Sequence, residues 1–148
     1  MADPVKVSLL KAITAALEGV SGVGSVRRSK STPPDRETDK FPAVYVYDLE
    51  ESIRKRNQVE RVIMPLTVVV WVEEEKEDAA DIVDMLAAEI YKAMLTDSGI
   101  RSWCLDIKPD PEVSAAKFSA NDNIGGITLN YIVEYAYVWG DPYDPGRP

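Results

Sequence analysis

The chain has no histidine, one cysteine and two phenylalanines, and no apolar run in it reaches membrane-spanning length. The missing imidazole excludes Ser-His-Asp hydrolysis, histidine-ligated zinc and histidine-based proton transfer. The single Cys104 has no intrachain partner for a disulfide, so a reducing cytosol is its natural home. With no imidazole to serve as its base, it reads as a small core hydrophobe rather than a catalytic thiol. No membrane partner is expected. The opening Met1-Ala2-Asp3-Pro4 has neither a basic region nor an apolar signal core, so no export is expected either. There is no Gly-rich phosphate loop, because Gly22-Val23-Gly24 leads into a strand pattern rather than a helix.

What is present is the composition of one ordinary globular domain. At 148 residues, 45% hydrophobic and 28% charged, the chain is long enough to bury a sizeable core without metal or disulfide. The charge is uneven. Residues 1–61 carry 11 basic and 9 acidic side chains (+2), and residues 62–148 carry 6 and 16 (−10), giving the overall −8. Net acidity argues against free or sequence-specific nucleic-acid binding, whereas the asymmetry suits unlike faces on an assembling subunit.

The stretch from 59 to 95 organises the rest. In an extended chain, alternate side chains face opposite sides. Val62, Met64, Leu66, Val68, Val70 and Val72 are all apolar, so their face must be buried. Arg61, Ile63, Pro65, Thr67, Val69 and Trp71 are mixed, as on a partly covered face. Pro65 cannot donate to a ladder and predicts an edge position or a bulge near the middle of this strand. An acidic run at 73–78 then opens a helix, whose stripe is Ile82, Val83, Leu86, Ala87, Ile90, Ala93 and Met94.

Elsewhere, Asp3-Pro4 predicts an N-cap and first helical residue. The helix stripe Val5, Leu9, Leu10, Ile13, Ala16, Leu17 and Val20 follows, stopped by Gly19 and Gly22. A short strand is expected at 24–28, others at 41–49 and 103–107, and a long one at 127–139. Residues 29–40 and 108–123 read as exposed loops and as segments that contact a neighbour. Residues 50–58 read as a hairpin connection with Arg54-Lys55-Arg56 at its tip. The tyrosines of 127–139 read as sheet filler with hydroxyls reaching the rim. The whole predicts an α+β domain over 1–139, with a flexible tail at 140–148. Its mainly antiparallel, mixed sheet has about four to five strands, with two amphipathic helices on one face.

One enzymatic pattern exists. Pro34-Asp35 with Glu74-Glu75-Lys76 is similar to the split signature of magnesium-dependent nucleases, in which carboxylates hold the metal and lysine activates water. The 38 residues between its halves and the position of Glu74 at the end of a strand both oppose it. No catalytic residue, cofactor or metal is therefore expected.

In order, these elements resemble a known family. The features are the opening helix ending Leu17-Glu18-Gly19-Val20-Ser21-Gly22-Val23, the strand Phe41-Pro42-Ala43-Val44-Tyr45-Val46, the long apolar strand, the second helix, and Gly126-Ile127-Thr128-Leu129-Asn130-Tyr131-Ile132-Val133-Glu134-Tyr135. Together they are similar to the tail-terminator and tail-completion proteins of tailed bacteriophages, of the minor tail protein U type. The resemblance implies a non-catalytic structural subunit of the virion tail, assembled in the cytoplasm of the host bacterium. It would form a ring, a hexamer in that family, on the finished tail tube, ending polymerisation and offering a surface for head joining. Its partners would be further copies of itself, the tail-tube protein and a head–tail connector. A plain connector or adaptor is the alternative within the same class. The interface residues expected on charge and exposure are Arg54, Lys55, Arg56, Lys30, Arg36, Lys40, Lys117 and Phe118.

Overall fold

The computed structural model describes residues 2–35, 37–56, 58–73, 78–119 and 124–146, with no side-chain description for 54–56. Ten elements follow in order. They are α1 (Val5–Glu18), β1 (Ser25–Arg28), β2 (Ala43–Asp48), β3 (Ser52–Arg56), β4 (Val59–Glu73), α2 (Ala79–Thr96), α3 (Ser98–Arg101), β5 (Asp106–Pro109), β6 (Ala116–Ser119) and β7 (Ile124–Val138). They build the expected α+β fold, with a seven-stranded mixed sheet in place of four or five strands.

The sheet is organised on one ladder. β4 and β7 are each 15 residues long and pair antiparallel along their whole length, from Val59↔Val138 to Glu73↔Ile124. The even-numbered residues of β4 alternate into the interior as their pattern requires. Opposite them stand Tyr135, Val133, Tyr131, Leu129 and Ile127 of β7 on the same face. Onto this face pack Val5, Leu9, Leu10, Ile13 and Leu17 of α1, and Val83, Leu86, Ile90 and Met94 of α2. Each such side chain contributes about 2 kcal/mol on burial, so a register slip of one residue would forfeit the core. Cys104 sits buried in the same core.

Each side of the central ladder is flanked by a strand in two pieces. β2 pairs with the later half of β4 and β3 with its earlier half. Between Asp48↔Leu66 and Ser52↔Ile63, the three residues 49–51 face the two residues 64–65. The Leu49 amide donates to the Pro65 carbonyl at 2.9 Å, but Pro65 has no N–H to return. A regular rung cannot close there, so the extra residue is a bulge set opposite the proline. The bulge turns Glu51 over the core face. Its carboxylate accepts from the Tyr135 hydroxyl at 2.6 Å and from Lys6 of α1. Lys6 also pairs with Asp48 at 3.1 Å, which ties the first helix to the break in the strand.

On the other side, β5 pairs with residues 131–134 of β7 and β6 with 125–128, the chain looping out between them. The 108–123 segment expected as a loop thus contains a strand. Its four residues, Ala116 to Ser119, have no alternating pattern of their own and are held by the exposed backbone of β7. Gly126 belongs inside β7, where a Cβ would stand 1.7 Å from the Val70 carbonyl oxygen, so no other residue fits without moving the ladder.

Three further differences are local. Helix α1 begins at Val5, with Pro4 at the N-cap and no side-chain cap. Asp3 pairs instead with Lys11 at 2.7 Å, and the Val5 amide donates to the Pro142 carbonyl at 2.8 Å. A short helix, α3, separates α2 from β5 where a direct link was expected, its Ile100 amide capped by the Asp97 carboxylate. Trp139 falls just beyond β7 and is 59% exposed rather than part of the buried face. Residues 140–146, in the expected flexible tail, turn back on the ladder end through Val138–Asp144 and Val138–Asp141 backbone hydrogen bonds.

Replacing Glu51 with alanine is expected to lower unfolding stability by about 1–3 kcal/mol. It strips a buried hydroxyl and a lysine of one acceptor together. Urea titration at neutral pH, compared with Glu50→Ala as a control at the exposed neighbouring position, measures this.

Candidate assembly interface

Among the described residues the helices pack on one side of the sheet, and the other face carries no helix. That face carries the odd-numbered residues of β4 together with Thr128, Asn130, Ile132 and Glu134 of β7. Along β4, Arg61, Ile63, Pro65, Thr67, Val69 and Trp71 are half-buried throughout. The polar members pair among themselves. The Thr67 hydroxyl donates to Asn130 Oδ1 at 3.0 Å, and Arg61 forms an ion pair with Glu134. Trp71 lies at the centre of an aromatic row across the strands. Its centroid is 5.9 Å from Tyr45 and 5.1 Å from Phe118, which meets it edge-on. Among the described residues, the two buried side-chain donors without a partner, Arg61 Nε and Trp71 Nε1, are both on this face.

The β1–β2 corner of the open face is covered by the 29–40 segment, which is built around one carboxylate. Asp39 is 3% exposed and accepts from Lys30 at 2.8 Å, from the Asp35 amide at 3.1 Å, and from Arg27 and the Tyr45 hydroxyl at 3.5 Å. The Tyr47 hydroxyl donates to the Lys30 carbonyl at 2.6 Å, and the Lys30 ammonium lies 5.5 Å from the Tyr45 ring centre. The Lys30 hydrogen bond holds the Asp39 carboxyl down at about 2, from 3.8, against the opposing effect of burial. The expectation of a wholly exposed loop is therefore corrected for Asp39 and Pro34, both buried. Nothing in the residue types of 29–40 signals this. The signal lies in Tyr45 and Tyr47, two aromatics on the open face that needed a cover.

Among the residues expected at an interface, Lys30 is thus committed inside the chain. Lys117 pairs with Asp84 of α2 at 2.9 Å, and Phe118 packs on Trp71 over Gly126. Lys40 is exposed, its carbonyl accepting from the Ser25 hydroxyl. Arg36 lies outside the described residues. Arg54, Lys55 and Arg56 are not in a hairpin loop. They form the last part of β3, opposite Arg61, Glu60 and Val59, because β4 offers its edge up to the turn. Among the described side chains of this set, Lys30 is drawn to Asp39 and Lys117 to Asp84, at separate places in the fold.

Of the nuclease-like signature, Asp35 accepts the Glu37 amide at 2.9 Å through Oδ1, and Glu74, Glu75 and Lys76 lie outside the described residues. Among the described residues, no three histidine, cysteine, aspartate or glutamate side chains come close enough to hold a metal ion. The rim tyrosines serve structure. Burial and the Glu51 hydrogen bond push the Tyr135 hydroxyl far above its ordinary range. Tyr137, donating to Glu60, is raised to about 12.

Because the Asp39 pKa is depressed by folding, its contribution is complete above the unfolded value near 3.8 and is lost as pH falls through about 2. The shift corresponds to roughly 2 kcal/mol. Asp39→Asn is therefore expected to lower stability at pH 7 and to flatten its decline between pH 4 and pH 2, as read from urea midpoints across that range.

No family model matches the chain, and no curated protein matches it. Among solved structures it is similar to a chain of "Virion of native gene transfer agent (GTA) particle", at 12% identity and a TM-score of 0.48. The alignment covers 88% of this chain and 93% of that one. A likeness of that size leaves function to the residues themselves.

Proposed function

We propose that this protein is a non-catalytic structural component of a phage-like particle, and that it caps the tail tube as a ring. In that role it ends tail polymerisation and presents a surface for head joining. The observation that carries the reading is the open face of the sheet. At about 3.3 Å per residue the β4–β7 ladder is close to 50 Å long, and its flanking strands widen it to roughly 15 Å. That is on the order of 700 Å², from which the corner covered by 29–40 is subtracted, against the roughly 800 Å² that each partner contributes to a standard protein interface. The face is apolar along Ile63, Pro65, Val69, Trp71 and Ile132, and polar or charged at Arg61, Thr67, Asn130 and Glu134. This mixture suits a surface exposed before assembly and covered after it. In this reading the open face meets the tube or the connector. The order of elements shared with tail-terminator proteins supports the same reading.

The test is complementation of a phage that lacks its own terminator. The wild-type chain is expected to restore tails of uniform length, and Val69→Glu in the open face to leave them overgrown while the far-UV circular dichroism spectrum is unchanged. Uniform tails with Val69→Glu would remove the open face from the mechanism, and overgrown tails with the wild type would end the capping role.

A further inference from the structure

The 29–40 segment is folded mainly on itself. It joins β1 to β2 without a helix or strand, and among its described residues only Pro34 and Asp39 are buried. Three of the hydrogen bonds to the Asp39 carboxylate come from within the segment: Lys30 at 2.8 Å, the Asp35 amide at 3.1 Å and the Thr38 hydroxyl at 3.5 Å. The Thr38 and Asp39 amides donate back to the Asp35 carbonyl at 3.1 and 2.7 Å. Between the ends of the segment, the described side-chain contacts to the sheet are few. Arg27 and the Tyr45 hydroxyl reach Asp39 at 3.5 Å, the Tyr47 hydroxyl reaches the Lys30 carbonyl at 2.6 Å, and the Lys30 ammonium lies over the Tyr45 ring. The ends are held by the neighbouring strands. The Ser29 amide donates to the Val46 carbonyl at 2.8 Å, and the Lys40 carbonyl accepts the Ser25 hydroxyl at 2.8 Å.

What the segment covers belongs to the sheet face without helices. Tyr45 beneath it is fully buried, yet its ring continues the row of Trp71 and Phe118 on the uncovered part of that face. In the same row Trp71 Nε1 is buried without a partner among the described residues, so an acceptor reaches it only if the packing over it moves. A segment with few buried apolar contacts opens at a lower free energy than the core beneath it. Lifting this one gives up two long hydrogen bonds, one short one and the burial of Pro34 and Tyr45. Asp39 keeps Lys30 and the Asp35 amide throughout.

We infer that the 29–40 segment is a removable cover, which closes the β1–β2 corner of the sheet in the free subunit and swings off about Ser29 and Lys40 as the end of the tail tube takes the open face. The corner it uncovers adds to the area of that face and supplies two tyrosines, a residue type that carries a large share of interface affinity. While closed, it keeps an aromatic patch from associating with the wrong surfaces. Docking then needs the open form, so the free subunit binds with its intrinsic affinity reduced by the fraction that is open. The inference rests on the reading of the open face as the one that docks.

Asp39→Ala and Lys30→Ala test it, since both lie on the cover and neither on the docking face. Hydroxyl-radical footprinting of the free protein compares Tyr45 with Tyr131, which is buried in the helix-covered core. Tyr45 is expected to react roughly tenfold faster than Tyr131, and faster again in each variant, while an unchanged Tyr131 shows that the core is intact. Tyr45 protected as well as Tyr131 in the wild type and both variants would overturn the cover. Binding is then measured to tail tubes purified from a phage that lacks its terminator. Each variant is expected to bind more tightly, by the same factor as its gain in Tyr45 reactivity. Wild-type binding with no gain in either variant would retire the cover alone. Tubes that bind neither the wild type nor the variants would retire the docking face and the cover together.

Discussion

The missing N–H of Pro65 is the constraint on which much of this architecture depends. It stands in the central strand, where one edge is fully paired to β7 and the other would be paired to β2. Because the rung at Leu49 cannot be completed, the flanking strand breaks, takes an extra residue and resumes as β3. The break places Glu51 where it reaches both Tyr135 and Lys6. A backbone defect in the sheet thereby becomes the polar anchor of the first helix, whose own N-terminus lacks a side-chain cap.

The two sides of the sheet follow different rules. The helix-covered side is a conventional core, in which Val62, Met64, Leu66, Val68, Val70 and Val72 of β4 share one cluster with the inward residues of β7 and the helices. The open side is held by local pairs and one aromatic row. The 29–40 segment covers one corner of it, where Asp39 pairs with Lys30 and Arg27. A buried carboxylate with this many donors is costly to leave unpaired and well placed when satisfied. That is why a polar stretch whose buried apolar residue is Pro34 can be packed down on Tyr45.

The long strand, both long helices and the buried face of β7 were legible in the sequence because burial on one side imposes a period that side chains record. Pro65 was legible as an edge position or a bulge for the same kind of reason, since proline states what its backbone cannot do, and pairing of β4 on both sides leaves the bulge. β6 was not legible. Ala116-Lys117-Phe118-Ser119 lacks alternation and becomes a strand only because β7 offers it an edge. The role of Asp39 was hidden because a charged residue in a polar stretch gives no sign of burial until Tyr45 and Lys30 are placed beside it. Arg54, Lys55 and Arg56 were recognised as a basic cluster but assigned to a loop, since no pattern in three cations reveals a strand edge. Trp139 was taken as the end of an apolar alternation, although the turn after Val138 carries it outward. Phe118 and the cations were expected at an interface from the sequence, whereas the exposure of Trp139 depends on where β7 stops.

The β4–β7 ladder also has a consequence in time. Its paired residues are 51 to 79 positions apart, from Glu73↔Ile124 to Val59↔Val138. Contacts that distant make for slow folding, because loop-closure entropy is lost before the rungs reward it. Of the seven described strands, the one that completes the centre of the sheet is made last. Until it arrives, β4 presents an unpaired apolar edge of 15 residues, so the nascent chain is most prone to aggregate just before β7 is made.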